Sequence, residues 1–202
     1  MLGAIDASLA LKYKKGNQLL FSRDSECLQD LMHLIGEQKH RTLVLWAFDC
    51  AQAPLTLFEI GHPLETRPRT ALQTCQAWAR GDVKMPVARK AILACHAVAK
   101  EHTDTVTGLL AHAIGQACST VHVETHALGL VFYELSAIVY TQGLDGCQMA
   151  VEEKIKSYYD RLLYWQGEIE HFEGSWAPFL LDEHTENKEK VLQGTRRKSQ
   201  TT

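Results

Sequence analysis

Four of the histidines in the middle of this 202-residue chain, His96, His112, His122 and His126, fall on its apolar-striped helices. Imidazole suits a helix interface because it titrates near neutrality and its two nitrogens can donate, accept or bind a metal. His122 and His126 stand four residues apart, which on a helix puts both rings on one face within reach of a single metal ion. A zinc site needs a third protein ligand, and His96 or His112 from a neighbouring helix is the candidate. A metalloprotease would want His-Glu-x-x-His. Here the order is His122-Val123-Glu124-Thr125-His126, and two residues of helix turn Glu124 roughly 200° away from His122. The plainer role for the four rings is hydrogen bonding across packed helices, so no metal, cofactor or catalytic residue is assigned.

The thiols offer a second chemistry. Cys95 adjoins His96, and Cys118 lies four residues before His122. A nucleophilic Cys/His pair needs an activated thiolate partly open to solvent. Cys118 shares its apolar stripe with Ile114, which favours an inert core thiol. The six cysteines fall about one to each expected helix, with no Cys-x-x-Cys pair. That spacing points to buried, reduced thiols and a cytoplasmic protein.

Charged residues mark a third set. Arg67, Arg69 and Arg80 flank the helix that carries Trp78. Arginines at a helix start oppose its dipole unless carboxylates pair with them, and Glu59, Glu65 and Asp82 are available. Asp49 lies inside the apolar run 43–58 and needs a cationic partner if buried, with Arg67 or Arg69 as candidates. The aromatic group Tyr158, Tyr159, Tyr164, Trp165, Phe172 and Trp176 reads mostly as helix packing, its exposed remainder as part of a protein interface. Phosphate loops, Gly-x-Ser-x-Gly, paired metal carboxylates and tandem repeats are absent from the sequence.

The elements that must position these residues are helical. Ser22 or Asp24 caps a helix near 25–37. The run 41–61 is apolar on most sides, as a buried helix is, and Pro54 should kink or split it. Thr66, Pro68 and Gly81 bracket a helix over 67–80. Pro86 opens the next, to about Glu101, and Thr103 starts another that bends within 118–124. Asp145 caps a long final helix striped by Val151, Ile155, Tyr158, Leu162 and Trp165. In the arm, Lys14-Lys15-Gly16-Asn17 can turn a short hairpin between Leu9-Ala10-Leu11 and Leu19-Leu20-Phe21. The expected fold is all-α, a single bundle of about six to eight helices. The arm covers 1–23, the helical domain 24–170, and a polar, mobile tail 171–202.

Apolar residues make up 46% of the chain and charged residues 22%, an ordinary globular balance, with a formal charge of -3. That charge argues against a general nucleic-acid binder. No window approaches 18 uninterrupted apolar residues, so no membrane span is expected, and the start lacks the pattern of a signal peptide.

The segment Trp46–Tyr140 resembles the bacterial putative immunity protein family, the group with an Imm-5-like domain. The resemblance rests on Asp49-Cys50-Ala51, Leu57-Phe58-Glu59, Arg67-Pro68-Arg69 and Ala77-Trp78-Ala79-Arg80-Gly81. Downstream it continues through Ala88-Arg89-Lys90-Ala91, Ala94-Cys95-His96-Ala97, Thr120-Val121-His122-Val123 and Thr125-His126-Ala127-Leu128-Gly129. It implies an all-helical fold and neutralisation of a cognate bacterial toxin by binding, without catalysis. It makes Asp49, Arg67, Arg69, Trp78, His96, His122 and His126 the positions of interest. The family more often has alanine at the place of Cys95, which weakens a Cys/His mechanism. Two alternatives remain: a metal- or histidine-dependent enzyme built on the central imidazoles, and a structural homodimer formed through the apolar face of 145–166.

Overall fold

The structure, a computed structural model, describes residues 5–182. Among these it is all-α, with nine helices of eight or more residues, one single-turn helix and two short 3-10 turns. Helix α1 spans Ala7–Lys14, α2 Gln29–Gly36, α3 His40–Cys50, α4 Gln52–Gly61 and α5 Arg67–Arg80. Helix α6 spans Met85–Glu101, α7 Thr105–Ser119, α8 His126–Gln142, α9 Gln148–Glu168 and α10 Pro178–Leu181. The count exceeds six to eight because the arm is helical, the 41–61 run is split and the tail adds a turn.

The N-terminal arm forms no hairpin. Asp6 accepts a hydrogen bond from the Leu9 amide at 2.7 Å and caps α1. The Lys14–Asn17 stretch closes that helix, with Gly16 at φ 70 where a side chain would be strained. Cap signals at both ends outweigh the apolar triplets that suggested strands. Leu20 and Phe21 then enter the core, where the Leu20 amide donates to Ser136 Oγ at 3.0 Å.

The break between α3 and α4 falls at Ala51. Pro54 causes it: without an N–H it cannot bond the carbonyl four residues back, and its ring collides there. Together, His40–Gly61 is long and apolar enough to cross a membrane by length and composition, with mean hydropathy 1.3. In this fold 56% of that window is buried, as in a core helix, with Leu43, Val44, Trp46 and Leu55 inaccessible to solvent.

Gly81, at φ 89, ends α5; its amide bonds the Trp78 carbonyl and the Asp82 amide bonds that of Ala77. Asp104, not Thr103, caps α7 by accepting from the Thr107 amide at 2.7 Å. The expected bend is the turn 120–125 between α7 and α8, and α9 begins after Cys147 rather than at Asp145. Helix α7 is the axis of the body, packed by α3, α4, α5, α6 and α8. Small residues line this packing: Gly108 faces the Ala99 backbone on α6, where a Cβ would make ordinary contact at 3.6 Å.

The expected polar tail begins too early. Ala177 and Leu180 are buried, and the Ala177 amide donates to the Ala79 carbonyl at 2.7 Å. The ring of Phe179 lies 5.5 Å from that of Trp78. The rest of that expected tail, 183–202, lies outside the described residues.

Candidate functional site

Helices α6, α7 and α8 share a seam of imidazoles. His96 Nδ1 lies 2.9 Å from His112 Nδ1, and His112 stacks 4.9 Å from Tyr133. Gly115 makes room, since a Cβ there would meet the His96 ring at 2.5 Å. His126 Nδ1 lies 2.6 Å from Gln116 Oε1, so the imidazole N–H donates to the amide oxygen. Gln116 in turn crosses Gly129, where a Cβ would also clash. Burial pushes His96 down to about 4, with His112 and His126 adding to it. Burial likewise lowers His112, helped by Lys100, and His126, helped by His122. The three rings are therefore neutral struts at neutral pH.

His122 departs from the helical spacing argument. It sits exposed in the turn 120–125, not on a helix, and its ring is 6.2 Å from Trp78. The one-face geometry for His122 and His126 is lost because the helix breaks between them. Among the described residues, no three His, Cys, Asp or Glu side chains gather as a metal set. Nor does Cys118 meet His122: Cys118 is buried in α7 and raised well above its ordinary value by a Cys75 hydrogen bond and burial. Cys95 donates to the Ala111 carbonyl at 3.3 Å, and burial pushes it up to about 12. A pocket of 280 Å³ lies on the outer face of α6, lined by Met85, Pro86, Arg89, Lys90 and Leu93, and none of the imidazoles lines it.

The arginines of α5 pair locally. Arg67 bonds Glu65 through Nε at 2.9 Å and Nη2 at 2.6 Å, and reaches Glu101 at the end of α6 at 2.5 Å. The Arg67 guanidinium holds Glu65 down at about 2. Arg69 pairs with Glu59, and Arg80 with Asp82 at 2.8 Å.

Neither Arg67 nor Arg69 reaches Asp49. Asp49 closes α3 facing α9, where Oδ2 accepts from Arg161 Nε at 2.6 Å and from Trp165 Nε1 at 2.9 Å. The expected partner was wrong because α3 packs along α9, which brings residues 112 positions apart into contact.

A buried polar knot was missed entirely. Glu134 of α8 is 3% exposed, accepts the Tyr158 hydroxyl hydrogen, and pairs with Lys154 Nζ at 2.5 Å. Lys154 also lies 4.9 Å over the Tyr158 ring, and the Trp46 indole donates to the Tyr158 carbonyl at 3.0 Å. Burial pushes the Glu134 carboxyl up, against the pull of Lys154 and Tyr158. The available signal was that Glu134 is the sole Asp, Glu, Lys or Arg of α8, an otherwise apolar helix.

Residues 33–161 match the family described as Imm-5 like putative immunity protein, nearly two thirds of the chain. The chain belongs to this family. The Imm-5-like segment runs from α2 to Arg161 of α9, wider than Trp46–Tyr140, and takes in the imidazole seam, the arginine pairs, Asp49 and Glu134. Neither a curated protein nor a solved structure matches the chain at a significant level.

Proposed function

We propose that this Imm-5-like protein binds a cognate toxin in the cytoplasm and neutralises it without chemistry of its own. Membership of an immunity-protein family over residues 33–161 carries the reading. Two features of the site support it. The imidazoles of His96, His112 and His126 spend their Nδ1 atoms on each other and on Gln116, and burial lowers the proton affinity of all three, His96 to about 4. The buried thiols of Cys95 and Cys118 are pushed away from the thiolate that nucleophilic chemistry requires. Inhibition by binding asks only for complementary shape and charge.

The test is co-expression of this chain with each growth-arresting product of the genes that neighbour its own. Restored growth together with a complex that co-purifies is the expected result. Growth restored by a chain that never associates with the toxin would contradict the reading.

A further inference from the structure

We infer that the solvent face of α9, centred on Tyr164, is the surface that grips the toxin, and that it fits a partner with cationic side chains around a hollow for an aromatic ring. This rests on the toxin-binding reading above. Val151, Tyr158 and Leu162 turn inward. At 100° per residue, Met149, Glu153, Lys156, Asp160, Leu163 and Tyr164 stand on the opposite side. That side is greasy for a solvated face: Met149 is 69% exposed, Leu163 44% and Tyr164 48%.

Tyr164 is exposed but held in place. Its ring lies 4.6 Å from the Arg161 guanidinium and 5.1 Å, edge-on, from Trp165. Arg161 and Trp165 are both fixed by Asp49 of α3. Three residues thus hold in one orientation a ring that faces water, so the freedom that binding would cost is already given up before the partner arrives. Aromatic and arginine side chains in such settings are the usual anchors of protein interfaces.

Charge selects the partner. Glu153 on that side, and Glu168 at its edge one turn beyond Tyr164, have no cation beside them among the described residues, and Asp160 pairs with Lys156 of its own helix. The face is therefore negative around its apolar centre and complements a cationic surface. The outer face of α6 has the opposite sign, with Arg89 and Lys90 beside Met85 and Leu93, but it has no aromatic anchor. Pairing α6 of one copy with α9 of another would be a heterologous contact that builds a ring or a filament, a state that sizing of the free chain would show.

The probe is the toxin whose growth arrest this chain relieves in that co-expression, and the full chain is titrated against it. Tyr164→Ala should weaken binding at least about tenfold, and Tyr164→Phe should stay within about threefold of wild type because the ring stack survives. Glu153→Lys with Glu168→Lys should slow association about tenfold at low salt and little at high salt. Arg89→Glu with Lys90→Glu on α6 should change neither, and thermal melts check that each variant is folded. Wild-type binding that survives both α9 changes, or fails only in the α6 variant, overturns this surface and leaves the toxin-binding reading standing. So does a Tyr164→Ala variant that turns a dimer into a monomer at unchanged toxin affinity, or wild-type binding to anionic vesicles that Tyr164→Ala abolishes while toxin affinity is unchanged. A wild-type chain that does not bind the toxin overturns both.

Discussion

His96 Nδ1 and His112 Nδ1 stand 2.9 Å apart, so one ring donates while the other accepts. Protonating the acceptor breaks the bond and places charge in a half-buried seam. The folded state holds the His96 proton at about 4 against 6.5 for a free imidazole. Between those values the unfolded chain binds more protons, so stability is full above about 6.5 and falls as the pH drops towards 4. Melting temperature should decline across that window in wild type and decline less in His96→Gln. The acid limb from Glu65, between about 4.5 and 2, should persist in both. Equal slopes in the upper window would contradict the strut role.

Gly115 exists for the His96 ring. Gly115→Ala should gain about 1 kcal/mol from helix propensity and lose about 1–3 kcal/mol to overpacking, because the added Cβ meets the ring at 2.5 Å. The expected outcome of denaturant unfolding is net destabilisation. A variant more stable by the full propensity gain would mean that the ring moves aside freely.

Glu134 binds α8 to α9. Glu134→Ala strands the Lys154 ammonium and the Tyr158 hydroxyl, both buried or nearly so, and should cost about 3–5 kcal/mol. The triple change Glu134→Leu, Lys154→Met and Tyr158→Phe removes every orphan and should cost less than the single one. A triple variant less stable than Glu134→Ala would show that the charges contribute net stability.

The thiols should be inert while the chain is folded. Five are buried, and Cys27, the half-buried sixth, is pushed up to about 11 by burial. Iodoacetamide at neutral pH should label Cys27 slowly and first, and all six only after unfolding. Rapid labelling of Cys95 or Cys118 in the folded chain would contradict their placement.

Elements set by covalent constraint were legible in the sequence. Pro68, Gly81, Pro54 and Pro86 fixed the ends of α4, α5 and α6 because proline and glycine act through local geometry alone. The arm was misread because Leu9-Ala10-Leu11 suits strand or helix, and the deciding bond from Asp6 is a single cap. Partners distant in sequence were harder. Asp49 demanded a cation, but which one depended on α3 lying along α9. His122 and His126 kept the right spacing on the wrong premise, since the helix between them breaks. Glu134 could have been found, as a lone carboxylate in an apolar helix requires a buried partner.

Residual toxin activity measured against increasing amounts of this chain separates binding from catalysis most directly. Neutralisation by binding predicts a fall that ends near about one chain per toxin and does not deepen with time. Complete loss at a small fraction of an equivalent, growing with incubation, would show turnover and contradict a protein whose imidazoles serve only as internal struts.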